Sequence, residues 1–221
     1  MKVKTLLREE ERKIIAVIKT LSRNSKLSML AQFSKNTPFY ILISTVLSAR
    51  NRDDQTIKSV KKLFARYKTP KGIAGAPISA LEPLLKETGF YHTKARRIKE
   101  LSQMLLDEYD GKVPEDMDEL VKLPGVGRKT AGCVLVYAFE KPAIPVDTHV
   151  HRISNRLGWI KTKSPLKTEE ALIKIVPRKY WILVNEVLVI HGQTTCKPMT
   201  PLCSKCPVNR YCGRVGVKHS R

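Results

Sequence analysis

Apolar side chains recur at the spacing of an α-helix along most of the chain, and no segment sustains the alternation typical of a strand. The apolar run 39–47 has no polar face, which predicts a fully buried central helix. The sequence therefore predicts an all-α fold, a bundle of helices around one core helix. The clearest stripes are Ile14, Ile18 and Leu21; Ile57, Val60 and Phe64; Ile98, Leu101 and Leu105; and Trp181, Val184 and Leu188.

Several residues predict where the helices begin and end. Thr37 followed by Pro38 is typical of an N-cap and the first helical position, and Ser79 with Glu82 has the spacing of a capping box. Residues 70–77, with a proline at each end, predict a turn-rich connection. Left-handed C-terminal caps are expected at three glycines, Gly89, Gly111 and Gly192.

The charge of the chain restricts its partners. The chain has 41 Lys and Arg against 20 Asp and Glu, a formal net charge of +21. This excess predicts a polyanionic partner such as nucleic acid, bound through phosphate contacts that weaken with salt. The first thirteen residues are too charged for a secretory signal, and no run approaches the roughly 18 apolar residues of a membrane span. We therefore expect a soluble protein without a membrane partner, cytoplasmic, or nuclear if the source has a nucleus.

Four of the five cysteines lie within the last 26 residues, in the pattern C-x6-C-x2-C-x5-C. Thiolates at this spacing suit one inorganic centre, either an iron–sulfur cluster or zinc. A zinc ribbon more typically has two C-x2-C pairs, so the single pair here favours the cluster and leaves zinc open. The fifth, Cys133, lies in an apolar helical pattern and is expected to be a small buried hydrophobe. The four candidate ligands are Cys196, Cys203, Cys206 and Cys212.

Residues 123–129, LPGVGRK, connect two helical patterns and have the character of a helix-hairpin-helix motif. Gly125 and Gly127 permit a tight turn around Val126. The N–H groups that open the second helix can point at a phosphate oxygen, directly or through a bridging cation. The motif therefore predicts a DNA contact that is independent of base sequence. A simple turn between two helices is the alternative.

Two further residues are candidates for catalysis. Lys129 lies in the first turn of the second hairpin helix, where the helix dipole and Arg128 disfavour the ammonium form, so it is a candidate nucleophile. A solvated or phosphate-binding lysine is the alternative. Asp147 precedes another helical pattern and is expected to be its N-cap, which would also hold the carboxylate ionised beside a positively charged sugar.

Three motifs in order, LPGVGRKTA, VDTHVHR and the cysteine pattern, resemble the endonuclease III family of helix-hairpin-helix DNA glycosylases. The segment GFYHTKARRI is similar to the family's GLY-x-x-KA segment. The resemblance spans nearly the whole chain. It implies a two-lobed fold, with a helical barrel at residues 31–141 and a cluster lobe at residues 1–30 and 142–221, and DNA lying across the groove between them.

The resemblance also implies an activity and a cofactor. The enzyme would be a monomer that removes oxidised pyrimidines from double-stranded DNA and nicks 3′ to the abasic site by β-elimination. Lys129 matches the family's Schiff-base lysine and Asp147 its catalytic aspartate. The four C-terminal cysteines match its [4Fe–4S] ligands.

The chain departs from the family at Arg50, where a glutamine is common, and at Phe90, where the GLY segment has leucine. Both side chains can still stack in the gap left by an extruded base.

Two alternatives to a bifunctional glycosylase stay open. One is a monofunctional glycosylase that excises adenine or thymine from mismatches, whose members usually lack the lysine. The other is a non-catalytic DNA-binding module with a zinc loop.

Overall fold

The computed structural model describes residues 2–23 and 28–221, and of residues 2–8 only the backbone. Within these ranges the chain forms helices and no strand, so the all-α prediction is confirmed. None of the described helices is long and apolar enough to cross a membrane. The α-helices are α1 Lys2–Arg23, α2 Met29–Phe33, α3 Pro38–Ser48, α4 Asp53–Arg66, α5 Pro70–Gly75, α6 Ile78–Leu85, α7 Tyr91–Tyr109, α8 Met117–Leu120, α9 Arg128–Phe139, α10 Thr148–Leu157, α11 Pro165–Ile175 and α12 Trp181–Thr194, and short 3-10 helices lie at Arg178–Tyr180, Cys203–Lys205 and Asn209–Tyr211.

The chain divides into two compact units. One consists of Met1–Ser28 with Pro142–Arg221 and is called the cysteine unit; the other is Met29–Lys141 and is called the hairpin unit. Met1 and residues 24–27, which the domain prediction assigns to the cluster lobe, lie outside the described residues. That the two units are the functional lobes of the enzyme stays a prediction.

The central helix of the hairpin unit is α3. The Thr37 hydroxyl accepts a hydrogen bond from the N–H of Tyr40 and Pro38 opens the helix, so the predicted N-cap is confirmed. Every residue of α3 from Ile41 to Leu47 is buried, which confirms the predicted core helix. Helices α4 and α9 pack against it, and Cys133 on α9 is buried as expected. Longer α7 packs against α5 and α6 and supplies Ile98, Leu101 and Leu105 to the core.

The cysteine unit has its own apolar core. Helix α12 packs against α1 and α10, so a segment from the start of the chain joins the C-terminal helices. Three of the four C-terminal cysteines pack against this core, which places the end of the chain in the packed structure. The core residues include Ile14, Val17, Ile18, Val150, Ile153, Leu172, Val184 and Leu188.

Two predicted helix boundaries are wrong. Helix α6 already begins at Ile78, so Ser79 lies inside the helix and the predicted capping box does not form. Pro77 is the N-cap instead, without a side-chain bond. The segment 70–77 contains a short helix, α5, because the Thr69 hydroxyl accepts from the N–H of Gly72 and Pro70 suits the first helical position.

None of the three glycines is itself the cap residue. Gly111 is left-handed as predicted, with φ of 73°, but the C-cap directly after α7 is Asp110, which is also left-handed, with φ of 52°. At Gly89 the left-handed residue is its neighbour Phe90, with φ of 59°. Gly192 lies within α12, where a Cβ atom would come 2.3 Å from Nδ1 of His149 on α10. This glycine therefore permits the close approach of two helices and does not end one.

Candidate active site and cysteine cavity

The hairpin motif forms as predicted between α8 and α9. Gly125 is left-handed, with φ of 80°, and the N–H of Val126 donates to the carbonyl of Leu123 at 3.0 Å. Gly127 is the N-cap of α9 in extended backbone. The Val126 side chain is buried, so this residue shapes the turn from within.

The two hairpin glycines have different surroundings. A Cβ atom at Gly125 would lie 3.1 Å from Cδ of Arg97, in addition to the strain of its positive φ. At Gly127, apart from its two chain neighbours, no atom of the described residues lies within 4 Å of that position. Open space therefore adjoins the start of α9, where the N–H groups of the first turn cannot bond within the helix. A phosphate group can approach the backbone there.

Lys129 lies in the first turn of α9, in the hairpin unit, and is half-buried. No acidic residue lies in that first turn. The positive end of the helix dipole does not favour a further cation at this position. Lys129 therefore lies close to the open turn at Gly127.

Asp147 lies in the cysteine unit and is the N-cap of α10, as predicted. Its Oδ1 accepts a hydrogen bond from the N–H of Val150 at 2.8 Å. The carboxylate is half-buried, and the favourable charge of Arg152 lies on the same helix. The cap fixes the direction of one oxygen and leaves the other for a second contact.

All four C-terminal cysteines line one cavity, the cysteine cavity, together with apolar side chains such as Ile153, Leu202 and Val208. Cys196 follows α12, Cys203 begins a 3-10 helix, and Cys206 and Cys212 follow short 3-10 helices. Each cysteine is half-buried. The sequence prediction that one loop gathers these thiols is consistent with this arrangement.

Hydrogen-bond donors and cations surround the sulfur atoms. Arg156 Nη1 lies 3.5 Å from Sγ of Cys196, and the N–H of Arg214 donates to Sγ of Cys212 at 3.4 Å. Burial raises the pKa of the Cys206 and Cys212 thiols, so these groups are neutral without a metal. Metal binding would deprotonate them, and the nearby donors would then stabilise the thiolates.

Two arginines on α10 hold the cysteine loop, and sequence reasoning missed both. Arg152 Nη2 donates to the carbonyl of Cys196 at 2.9 Å, and Arg156 Nη1 donates to the carbonyl of Lys197 at 2.7 Å. Their spacing of four residues places them on one helix face. That spacing, directly after the Asp147 motif, was the available signal.

Arg50 and Phe90 lie on neighbouring turns of the hairpin unit. Both are left-handed, with φ of 53° and 59°, and both are exposed, Phe90 by 66%. A Cβ atom at Gly89 would lie 3.7 Å from the carbonyl oxygen of Arg50, so the two turns are in contact. Sequence reasoning also missed Lys94, a charged residue that is buried near these turns. Its position four residues before Ile98, on the same apolar stripe, was the available signal.

Known proteins agree with this architecture. Residues 43–178 match the model of the HhH-GPD superfamily of base excision DNA repair proteins. The chain is 50% identical to endonuclease III of Thermotoga maritima over 196 residues, 89% of this chain and 88% of the relative. It is 42% identical to endonuclease III of Bacillus subtilis, over 84% of this chain and 85% of the relative.

Solved structures show the same fold. A trapped covalent intermediate of endonuclease III with DNA superposes with a TM-score of 0.82 at 38% identity, covering 92% of this chain and 96% of that one. A thermostable thymine-DNA glycosylase superposes with a TM-score of 0.83 at 26% identity, covering 94% and 97%. The fold is common to both enzymes, whereas the sequence identity is higher to endonuclease III. The chain therefore belongs to the endonuclease III family of the HhH-GPD superfamily.

Proposed function

We propose that this chain excises oxidised or ring-saturated pyrimidines from duplex DNA and cleaves the strand 3′ to the abasic site through a Schiff base on Lys129. As a member of the endonuclease III family, the chain is a DNA glycosylase and AP lyase of base excision repair. The observation that carries the finer proposal is the lysine in the first turn of α9, directly after an open glycine turn. The similar solved structure of a covalent endonuclease III–DNA intermediate supports it.

The nucleophile is the neutral amine of Lys129. Its attack on C1′ of deoxyribose breaks the bond to the base, which leaves with a proton, and joins the nitrogen to C1′. The C1′–O4′ bond then breaks, O4′ takes a proton, and the opened sugar is held as a protonated imine. The imine makes the C2′ proton acidic, and its removal expels the 3′ phosphate by β-elimination. Cleavage of the imine by water then frees the amine for another cycle.

Asp147 supplies the negative charge in the proposed mechanism. A carboxylate beside the sugar stabilises the positive charge that develops at C1′ as the base leaves. Its N-cap bond to Val150 keeps one oxygen fixed in direction. We therefore assign Asp147 to the base-excision step.

The DNA is held by charge and by backbone. The net charge of +21 supplies phosphate attraction, and the open space at Gly127 admits a phosphate to the start of α9. We assign Gly125 and Val126 to the shape of this turn. Arg50 and Phe90, exposed on adjacent turns, are the side chains proposed to fill the stack when the damaged nucleotide is extruded.

We propose that Cys196, Cys203, Cys206 and Cys212 hold a [4Fe–4S] cluster. Four thiols line one cavity, with N–H donors and arginines near the sulfur atoms. In residues 28–221 and the described part of α1, no three His, Cys, Asp or Glu side chains are arranged to hold one ion. Mononuclear zinc needs four ligands around a single point, whereas a cluster spreads its thiolates over four irons. When bound, the cluster would brace the loop.

Borohydride trapping on abasic DNA tests the nucleophile. Wild-type protein should form a stable covalent adduct, and Lys129→Gln should form none. Lys122→Gln is a matched control, because it removes an exposed lysine from the same hairpin, one that is paired with Glu119. Adduct formation by Lys129→Gln at the wild-type rate would show that another amine is the nucleophile.

Asp147→Asn separates capping from catalysis, because asparagine is an equally good N-cap. This variant should keep its DNA affinity and thermal stability and lose base excision by about a hundredfold or more. Retained excision by Asp147→Asn would remove the aspartate from the mechanism.

Metal analysis distinguishes the two candidate cofactors of the cysteine site. Four irons with matching sulfide support the cluster, and one zinc in a colourless protein refutes it.

Lesion panels test the substrate class. Duplexes with thymine glycol should be nicked faster than duplexes with a normal adenine or thymine in a mismatch. The reverse order without strand cleavage would favour the monofunctional mismatch glycosylase. Binding without reaction on every lesion would favour a non-catalytic module.

A further inference from the structure

Lys94 is a lysine buried inside the hairpin unit. It lies in the first turn of α7 and is 5% exposed, on the same stripe as Ile98 and Leu101. Its Nζ donates a hydrogen bond to the carbonyl oxygen of Leu47 at 2.8 Å. Burial lowers its pKa to about 8. A buried amine with one main-chain carbonyl as its hydrogen-bond partner costs more free energy at a core position than an apolar side chain would.

The helix dipoles indicate which helix the Lys94 amine stabilises. Lys94 lies at the N-terminal end of α7, where a cation is disfavoured. Its amine reaches the last turn of α3, where the free carbonyl groups favour a cation. The side chain therefore stabilises the end of α3 at the expense of its own helix.

The bond joins two short turns. Arg50 follows the end of α3, and Phe90 immediately precedes α7. The backbone N–H of Lys94 donates to the carbonyl of Phe90 at 3.0 Å, while the amine of the same residue holds Leu47. One residue is thus bonded to the base of both turns.

Asn51 makes a second connection between these turns. Its Oδ1 lies 3.5 Å from the N–H of Gly89, and its Nδ2 donates to the buried hydroxyl of Thr56 at 3.0 Å. Both turns also hold a left-handed residue that is not glycine, a conformation that persists only where neighbouring contacts enforce it.

We propose that Lys94, with Asn51, is a positioning residue that fixes the spacing of Arg50 and Phe90 so that both enter the base stack together. The inference rests on the insertion role proposed above for those two side chains. An apolar side chain of similar length would fill the same core position without desolvating a charge. It would not hold the end of α3 against the start of α7, and the two turns would then move independently.

A double-mutant cycle tests this inference, with base extrusion measured by the fluorescence of 2-aminopurine beside the lesion and excision measured as kcat/KM. We expect Lys94→Met to reduce both about tenfold, the effect of losing one charge-assisted hydrogen bond. In the Phe90→Ala background the same change should have little further effect. Two positions that act through one contact are not additive.

Lys99→Met is the matched control. Lys99 lies on the same helix, and its Nζ donates to the carbonyl of Ala76 at 2.8 Å, so it also holds a main-chain carbonyl but at the end of α5. We expect Lys99→Met to extrude and excise at nearly the wild-type rate. If Lys94→Met does not unfold cooperatively, Asn51→Ala takes its place in the cycle.

Each outcome decides the inference. If the reductions in kcat/KM caused by Lys94→Met and Phe90→Ala multiply in the double variant, the two residues act independently. Lys94 would then be only a buried core residue, and the positioning role would be overturned. An equal loss in Lys99→Met would overturn it as well. If Arg50→Ala and Phe90→Ala themselves extrude the lesion normally, the insertion role fails and this inference falls with it.

Discussion

The two glycines of the hairpin turn separate folding from binding at the level of single residues. Gly125 needs its positive φ, and a methyl group there would press on Arg97. We expect Gly125→Ala to lower the free energy of unfolding by about 1–2 kcal/mol. Gly127 has no such need, and Gly127→Ala should change that free energy by less than about 0.5 kcal/mol, since alanine also restricts the unfolded chain.

Gly127→Ala is expected to affect DNA binding and not stability. A methyl group at residue 127 would occupy the space through which a phosphate reaches the backbone, so Gly127→Ala should weaken DNA binding about tenfold at unchanged stability. Denaturant unfolding and a fluorescence binding assay measure the two quantities. Full affinity in Gly127→Ala would place the phosphate elsewhere.

The pKa of Lys94 predicts how stability depends on pH. Burial lowers this pKa from 10.5 to about 8, so between those values the unfolded chain holds a proton that the folded chain has released. The free energy of unfolding therefore rises with pH across this window, and below pH 8 the folded state bears the whole penalty. At about 1.4 kcal/mol per pKa unit, the gain should be roughly 3 kcal/mol.

Lys94→Met removes this component, so the difference in unfolding free energy between wild type and variant isolates it from the other lysines. Urea unfolding at several values between pH 7.5 and pH 10.5 measures the difference. A constant difference across that range would mean that Lys94 titrates normally.

Sequence predicted the site residues better where the signal was local. The hairpin turn, the Asp147 cap and the buried Cys133 follow from spacing within a few residues, and the structure agrees with each. Lys94 continued an apolar stripe, a visible signal, but its partner Leu47 is 47 residues away. A contact of that kind is set by packing and is absent from any local pattern.

At the level of helices, α10 connects two candidate sites. Asp147 caps its N-terminus, and farther along Arg152 and Arg156 bond to the loop that begins at Cys196. The close approach of α12 to this helix depends on Gly192. Sequence reasoning assigned this glycine to a helix end, because a glycine near the end of an apolar stripe is ambiguous between a cap and a contact.

Gly192→Ala tests that contact. In an ordinary helix interior, alanine would stabilise by about 0.5–1 kcal/mol. Here its methyl group would lie 2.3 Å from Nδ1 of His149, so the helices must separate or the ring must move. We expect a loss of about 1–3 kcal/mol in thermal or urea unfolding.

His149→Ala should relieve the overlap. The Gly192→Ala penalty measured in a His149→Ala background is therefore expected to be much smaller than in wild type. Stabilisation by Gly192→Ala in the wild-type background would show that α10 and α12 are not in contact at this point.

For the whole molecule, net charge sets the response of DNA binding to salt. With a formal net charge of +21, the affinity for undamaged duplex should fall by about a thousandfold or more between 50 and 200 mM salt. Titrations of labelled duplex over this range give the slope. A slope near zero would mean that the positive charge is remote from the DNA.

The two units of the molecule have separate cores, so we expect the proposed cluster to stabilise only the cysteine unit. Cys196, Cys206 and Cys212 pack against the apolar core of the cysteine unit, whereas α3 and α9 belong to the other core. Cys206→Ala should therefore lose the visible absorbance of the cluster and increase hydrogen exchange in α10 and α12, because the loop that their side chains hold is no longer braced. Exchange in α3 and α9 should stay within about threefold of wild type, since local opening follows each cooperative unit. Equal loss of protection in all four helices, measured by mass spectrometry, would show that both units unfold together and that the cluster stabilises the whole chain.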